Sequence, residues 1–204
     1  MNPQTIAIDI DDVLADSTDA LRVFVNQKHG RSLQRYHYMI KTGTYWGYYE
    51  SVWEQHDING DGIIDEFHAQ YATDQSHVLP IAGAVEALLV LSEAYRLIAI
   101  SSRASDQQQA TERWIKQRFG DVFSSVACID TQKNKTLTKG EACKIAGARY
   151  LIDDNIEHCK SAKEYQVQPI LFGNYGWHDD SQLTDGVIRC KDWTAVLEYF
   201  NGRG

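Results

Sequence analysis

Long hydrophobic runs, paired cysteines and an excess of positive charge are all absent from this sequence. No apolar run approaches the roughly 18 residues that a membrane-spanning helix needs, so no such helix is predicted. Residues 1–17 have no basic segment before an apolar run, so they do not resemble a signal peptide. None of the four cysteines lies in a CxxC pair, which favours reduced thiols in a cytoplasmic protein.

The charge balance is acidic, with 20 Lys and Arg against 28 Asp and Glu, for a net charge of −8. This balance disfavours duplex nucleic acid and membranes as partners, and it allows a small anionic substrate if a cation is bound. The hydrophobic content of 43% in 204 residues is that of a folded globular chain, which we expect to be a monomer or homodimer.

Short apolar strands alternate with amphipathic helices along most of the chain, which predicts an α/β fold with a mainly parallel sheet between helices. Strands are predicted at residues 5–10, 97–100, 126–129, 150–152, 169–172 and 187–190, and helices at 17–29, 84–94, 104–119, 139–146, 156–165 and 193–200. Residues 31–77 are rich in aromatic side chains and are predicted to form an inserted, mostly helical module.

Polar side chains collect where the predicted strands end. The carboxyl ends of the strands carry Asp9, Asp11, Ser101, Ser102, Asp153 and Asp154, and a lysine-containing loop follows the third strand. The loops at these strand ends form the ligand site of such sheets. Converging carboxylates are costly to bury without a cation, and a hard cation with oxygen ligands, most simply Mg²⁺, fits them best.

In order along the chain, these segments resemble the four motifs of the haloacid dehalogenase-like (HAD) superfamily of hydrolases. The motifs are Asp9-Ile10-Asp11-Asp12-Val13-Leu14, the strand ending at Ser101, Lys139 at the start of Lys-Gly-Glu-Ala-Cys-Lys, and Leu151-Ile152-Asp153-Asp154. The resemblance implies a Rossmann-like HAD core formed by residues 1–17 and 81–204. It also implies that residues 18–80 form a mostly helical cap over the site.

The resemblance also implies the role of each motif residue. Asp9 would be the nucleophile that forms an aspartyl-phosphate, and Asp11 the general acid and base. Ser101 would hydrogen-bond the phosphoryl group, and Lys139, with Lys135 as the alternative, would neutralise its charge. Asp153, together with Asp154, would complete a Mg²⁺ site that also includes Asp9 and the backbone carbonyl of Asp11. The alternative without catalysis is that these acids only cap strand ends.

The substrate is expected to be a small phosphomonoester. The chain also resembles the 5'(3')-deoxyribonucleotidase-like branch of the superfamily in Tyr45-Trp46, Ser102-Arg103, Thr111 with Trp114, and the Leu-Ile-Asp-Asp of the fourth motif. This implies substrate contacts from Ser102, Arg103 and Trp46, and a nucleoside monophosphate substrate. Trp46 and then Trp53 are the first candidates to stack on a base. A sugar phosphate or another small phosphomonoester is the alternative.

A segment of the predicted cap resembles the start of an EF-hand calcium loop, with Asp57, Asn59, Asp61 and Asp65 at positions 1, 3, 5 and 9. Position 12, which should be a bidentate Glu, is His68. Two interpretations stay open: a weak Ca²⁺ site, and a polar turn rich in glycine. A catalytically silent Ca²⁺-binding module is the less favoured alternative to an enzyme.

Overall fold

A computed structural model describes residues 3–131 and 137–202, and a parallel sheet of six strands lies at its centre. The strands are β1 (Thr5–Ile8), β2 (Arg96–Ser101), β3 (Phe123–Cys128), β4 (Ala148–Asp153), β5 (Gln168–Phe172) and β6 (Ile188–Cys190). Their order across the sheet is β3-β2-β1-β4-β5-β6, and every neighbouring pair is parallel. All four residues of β1 are buried, as expected for a central strand covered on both faces.

Helices cover both faces of the sheet. Within the described residues the helices are α1 (Ser17–His29), α2 (Tyr48–Glu54), α3 (Ile63–Tyr71), α4 (Ala84–Ser92), α5 (Gln108–Phe119), α6 (Lys139–Ile145), α7 (Ile156–Glu164) and α8 (Trp193–Asn201). Side chains cap three of them at their first turn, because Thr138, Asn155 and Asp192 each accept a hydrogen bond from a backbone N–H of the helix.

The predicted fold class is confirmed: the sheet is parallel, the helices flank it, and the strand order is that of a Rossmann-like fold. The prediction for the third strand was misplaced, since β3 begins at Phe123, three residues before the predicted start. Its first half contains Ser124 and Ser125, which are exposed because β3 is at the edge of the sheet. A strand that is only half covered lacks the continuous apolar pattern used to predict it.

Residues 18–80 form most of α1, helices α2 and α3, and the connections between them. The connection that leads from β1 into this segment and the connection that leads from it to α4 lie side by side. The two connections bond to each other, since Asp16 N donates to Leu79 O (2.9 Å) and Ile81 N donates to Leu14 O (2.8 Å). This arrangement agrees with a segment inserted after β1. The division of the chain into core and cap stays a prediction.

The inserted segment also contacts the loop that follows β5. Gly176 O accepts hydrogen bonds from Thr42 N (2.9 Å) and Gly43 N (3.3 Å). A Cβ atom added at Gly176 would lie 2.0 Å from Ile40 O, so only glycine allows this approach. Trp177, from the same loop, packs edge-on against Tyr48 of α2.

Helices α6 and α7 pack in close contact on one face of the sheet. Gly140, the second residue of α6, faces the backbone of α7, and an added Cβ would lie 2.4 Å from the carbonyl carbon and oxygen of Ser161. The distance between the two helices is therefore set by a residue adjacent to Lys139, which lies in the functional site described next.

Candidate active site

Strands β1 and β4 are neighbours at the centre of the sheet, and the chain continues from β1 to β2 on one side and from β4 to β5 on the other. Such a reversal leaves a crevice at the carboxyl ends of the strands, where ligands bind in open α/β sheets. Asp9 follows β1, Asp153 is the last residue of β4, and Asp9 N donates to Ile152 O at 2.9 Å. Both buried carboxylates therefore lie at this crevice.

Lys139 joins these two carboxylates. It is the first residue of α6, and its Nζ lies 2.8 Å from Asp9 Oδ2 and 2.7 Å from Asp153 Oδ2. The side chains of Lys139 and Asp153 are 0% exposed. The other lysine considered for this position, Lys135, lies outside the described residues. The geometry favours Lys139, and its role in binding phosphate stays a prediction.

Burial and the charge of Lys139 have opposite effects on the carboxyl pKa values of this cluster. Burial raises the pKa of Asp9 to about 6 although Lys139 opposes the change, and the negative charge of Asp153 adds to it. The pKa of Asp153 is lowered instead, because its ion pair with Lys139 and its contact with His158 outweigh burial. One buried ammonium therefore serves two buried carboxylates, which leaves an excess of negative charge that favours a bound cation.

His158, which is not among the predicted site residues, belongs to the same cluster. It lies in the first turn of α7, with its Nδ1 3.1 Å from Asp153 Oδ1. Among the described residues, ligand atoms of Asp9, Asp153 and His158 lie within 4.8 Å of one another and could hold a metal ion. The position of His158, three residues after the N-cap Asn155, is a helical spacing that directs it back to the end of β4.

The predicted metal ligand Asp154 is buried but does not belong to this group. Its backbone O accepts hydrogen bonds from Trp177 Nε1 (3.2 Å) and from His178 Nε2 (2.7 Å). Burial raises the pKa of the Asp154 carboxyl well above its ordinary value, and the negative charge of Asp153 adds to this effect. Burial also lowers the pKa of His178 to about 4, which keeps its imidazole neutral.

Asp11 is bound by an arginine. Arg103 Nε donates to Asp11 Oδ2 (2.8 Å), Arg103 Nη2 donates to Oδ1 (2.7 Å), and Ser17 Oγ donates to Oδ1 (2.5 Å). The pKa of Asp11 is lowered to about 2 because the guanidinium outweighs the opposing effect of burial. A substrate contact was predicted for Arg103, and in the structure its guanidinium binds Asp11, the predicted acid.

The turn between β1 and the inserted segment is held by residues distant in sequence. Asp12 has a φ of 55°, which is rare for a residue other than glycine, and its carboxylate accepts hydrogen bonds from Thr18 N (3.0 Å) and Thr18 Oγ1 (2.9 Å). The hydroxyl of Tyr175 donates to Asp12 O, and Trp193 Nε1 donates to Val13 O at 3.0 Å. These contacts hold the backbone on which Asp9 and Asp11 lie.

The two predicted serines lie at the end of β2 and beyond it. Ser101 is buried, and its Oγ accepts a hydrogen bond from Arg103 N at 3.2 Å. Ser102 Oγ lies 3.5 Å from His158 Nε2, which connects it to the cluster around Asp153. Both serines line the same cavity as Asp9 and Asp11, and their contacts with a substrate stay predictions.

A cavity of about 1050 Å³ lies above these residues and is covered by the inserted segment. Trp46 lines it with 78% of its surface exposed, so its ring is free to contact a ligand. The expectation for Trp53 is wrong. Trp53 is 0% exposed, and its Nε1 donates to Tyr38 Oη at 2.9 Å, so it belongs to the core of the inserted segment.

The segment that resembles a calcium loop also lines this cavity, between α2 and α3. Asn59 Oδ1 accepts a hydrogen bond from Asp61 N at 3.0 Å, which is an Asx turn. Among the described residues, Asp57, Asp61 and Asp65 do not form a group of possible metal ligands. The structure therefore gives no support to the predicted Ca²⁺ site and favours the alternative of a polar turn.

Solved structures resemble this arrangement over nearly the whole chain. YfnB of Bacillus subtilis, classed as a HAD hydrolase and bound to magnesium, aligns over 98% of this chain and 100% of its own, with a TM-score of 0.64 and 11% identity. A Thermotoga maritima protein classed as a β-phosphoglucomutase aligns over 98% and 100%, with a TM-score of 0.62 and 15% identity. The chain has the HAD fold. A third HAD-fold neighbour, a Lactobacillus delbrueckii protein classed as a phosphoglycolate phosphatase, aligns over 98% of both chains, with a TM-score of 0.61 and 12% identity.

Identities this low establish the HAD fold alone and leave the reaction to the site. No protein-family profile matches the sequence, and no curated protein matches it. The likeness to the deoxyribonucleotidase branch stays a prediction. Among the described residues, no helix combines the length and the apolar character that crossing a membrane requires.

Proposed function

We propose that this chain is a Mg²⁺-dependent phosphomonoester hydrolase in which Asp9 is the nucleophile. The observation that supports this most is the position of Lys139 Nζ, within 2.8 Å of an oxygen of both Asp9 and Asp153, beneath a cavity large enough for a small substrate. The HAD-fold neighbours classed as a phosphatase and a phosphoglucomutase agree with phosphoryl chemistry.

The residues present fit a divalent cation. Two buried carboxylates share one ammonium, so the cluster carries an excess of negative charge that a cation would neutralise. Asp9 and Asp153 would hold the ion, with His158 within reach. Bound there, Mg²⁺ would reduce the repulsion between the phosphate and the carboxylates and stabilise negative charge on the phosphoryl oxygens.

The side chains of the site divide the reaction between them. A carboxylate oxygen of Asp9 forms a bond to phosphorus, and the bond from phosphorus to the leaving oxygen breaks. The leaving oxygen keeps the electron pair and takes a proton from Asp11. Asp11 then removes a proton from a water molecule that attacks phosphorus, and the bond to Asp9 breaks. Lys139 and Ser101 neutralise and hydrogen-bond the phosphoryl oxygens.

The substrate class follows from the size and lining of the cavity. Trp46 is exposed at its wall, which favours a substrate with a flat group such as the base of a nucleoside monophosphate. A sugar phosphate is the alternative that a substrate panel would distinguish. The partner is therefore expected to be a small phosphorylated molecule.

Phosphate release from a panel of nucleotides, sugar phosphates and p-nitrophenyl phosphate tests the proposal. We expect hydrolysis with Mg²⁺ and none in excess EDTA, and a loss of about 10³-fold or more in kcat for Asp9→Asn. Asp106→Asn is the matched control, because Asp106 is exposed and does not line the cavity. Full activity of Asp9→Asn, or activity that persists in EDTA, would rule out the mechanism.

A further inference from the structure

Arg103 binds Asp11, which is the acid and base of the proposed reaction. The inference below rests on that proposed function. Both oxygens of Asp11 accept hydrogen bonds, Oδ2 from Arg103 Nε and Oδ1 from Arg103 Nη2 and Ser17 Oγ. To protonate a leaving oxygen, Asp11 must itself carry a proton, and a protonated carboxyl has lost the charge on which its paired hydrogen bonds with Arg103 depend. At least part of its contact with Arg103 must therefore break during turnover.

Arg103 itself cannot follow Asp11, because its other side is fixed. Its Nη1 donates to Gln75 Oε1 (2.8 Å) and to Thr111 Oγ1 (3.0 Å), and its guanidinium carbon lies 5.1 Å from the centre of the Tyr71 ring. Gln75 and Tyr71 come from the inserted segment and Thr111 from α5. The pair of donors on Nε and Nη2 is therefore held in one orientation.

The two partners differ in exposure. The Arg103 side chain is 5% exposed and that of Asp11 is 33% exposed, and both line the cavity. If Asp11 moves away, a buried guanidinium loses its counter-charge, which is strongly unfavourable unless another anion replaces the carboxylate. Two oxygens on one carbon or phosphorus atom, as in a carboxylate or a phosphate, can accept from the Nε–Nη2 pair of donors together.

We propose that Arg103 selects substrates with a second anionic group, because that group takes the place of Asp11 on the Nε–Nη2 pair and frees Asp11 to act as acid and base. The substrate is then a phosphomonoester whose leaving group carries a carboxylate or a further phosphate. Arg103 determines specificity and positions Asp11, and it acts on the proton transfer only through that residue.

Matched substrate pairs test this in the wild-type protein with Mg²⁺. One pair is 3-phosphoglycerate and glycerol 3-phosphate, which differ by the carboxylate, and the other is adenosine 3',5'-bisphosphate and AMP. We expect kcat/KM to be about 100-fold or more higher for the member with the second anion. This is less than the roughly 10⁴-fold by which sites reject an analogue that leaves buried polar groups unpaired, because Asp11 still pairs with Arg103 when the anion is missing. A large part of the difference should be in kcat, because Asp11 stays bound to Arg103 when the anion is missing. Ratios below about threefold for both pairs would overturn the proposal.

Two variants separate this role from a structural one. Arg103→Met removes both donors, so the ratio within each pair should fall toward one. Arg103→Lys keeps the charge without the paired donors, so it should keep only part of the wild-type preference for the substrate with the second anion. An unchanged ratio in Arg103→Met would overturn the proposal. If Arg103→Met fails to fold, the wild-type ratios decide alone.

A binding measurement keeps this inference distinct from the proposed function. If no phosphomonoester is hydrolysed, the phosphatase assignment fails, and calorimetric binding to the wild-type protein still tests Arg103. Binding of 3-phosphoglycerate that is at least about tenfold tighter than that of glycerol 3-phosphate, with the difference reduced in Arg103→Lys, would support the anion site. Equal binding of the two compounds would overturn it.

Discussion

Replacement of Lys139 by methionine tests the buried cluster directly. Methionine has a similar length and no charge, so Lys139→Met removes the ammonium that lies 2.8 Å from Asp9 and 2.7 Å from Asp153 while it fills most of the same space. All three side chains are nearly or fully buried. Removal of one partner from a buried ion pair costs about 3–5 kcal/mol, because it leaves a charge without compensation in a medium of low dielectric. We expect a loss in the free energy of unfolding of that size in metal-free protein at pH 7.5.

The loss of unfolding free energy in Lys139→Met should depend on pH, in a direction set by the carboxyls of Asp9 and Asp153. Without the ammonium, the folded-state pKa values of both carboxyls rise: that of Asp9 is already raised to about 6, and that of Asp153 loses the ion pair that now lowers it. A raised carboxyl pKa favours the folded state when the group is protonated, so the destabilisation decreases as the pH falls. Each proton taken up changes the pH dependence by about 1.4 kcal/mol per pH unit.

Urea denaturation in EDTA at pH 5.0 and pH 7.5 measures both effects. Lys144→Met is the matched control, since Lys144 lies on the same helix and is exposed, and we expect it to change the stability by about 0.5 kcal/mol or less. Addition of Mg²⁺ should stabilise Lys139→Met more than the wild type, because the ion then carries the compensation alone. If Lys139→Met loses no more stability than Lys144→Met at either pH, the proposed excess of buried negative charge is wrong.

Three further predictions concern packing, pH and specificity. Gly140→Ala should destabilise the protein by about 1–3 kcal/mol in thermal unfolding, because its Cβ has no space against the backbone of α7, whereas Gly202→Ala, which has space, should be nearly neutral. The folded-state pKa of His178 is lowered to about 4, so its contribution to stability is complete above its unfolded pKa of about 6.5 and is lost as the pH falls toward 4. His178→Gln should therefore flatten the pH dependence of the unfolding free energy between about pH 6.5 and pH 4. An unchanged slope in this variant would contradict the lowered pKa of His178. Trp46→Ala should lower kcat/KM for nucleotides by a factor equivalent to about 1–3 kcal/mol and leave kcat/KM for p-nitrophenyl phosphate unchanged, whereas Trp53→Ala should mainly lower stability. Equal losses on both substrates for Trp46→Ala would contradict base stacking.

Local patterns were sufficient to predict most of the architecture. Strands β1, β2, β4 and β5 each contain a continuous apolar run, and the helices of the core have an amphipathic pattern with a recognisable end, so the alternation could be predicted from neighbouring residues alone. The strand ends then brought Asp9 and Asp153 to one edge, because the carboxyl ends of parallel strands meet there. Lys139 was found because it opens a helix that leads directly into β4.

Local patterns could not predict contacts between residues that are distant in sequence. The pairing of Arg103 with Asp11 joins residues 92 positions apart, and nothing in either neighbourhood specifies it. His158 could have been found from its helical spacing after the N-cap Asn155, although that spacing alone has no chemical signature. Trp46 and Trp53 have similar sequence surroundings, and only the packing of the inserted segment buries one and exposes the other.

The turn that carries Asp9 and Asp11 depends on parts of the chain that are synthesised much later. The hydroxyl of Tyr175 reaches Asp12 O across 163 positions, and Trp193 Nε1 reaches Val13 O across 180. At translation rates of about 5–20 residues per second, roughly 10–35 s pass between the emergence of the turn and that of its supports. During this interval the carboxylates of the turn lack these contacts and stay hydrated. The candidate site is therefore complete only after Tyr175 and Trp193 have emerged, and a ribosome-bound chain that ends before Tyr175 would carry Asp9 without these supports around it.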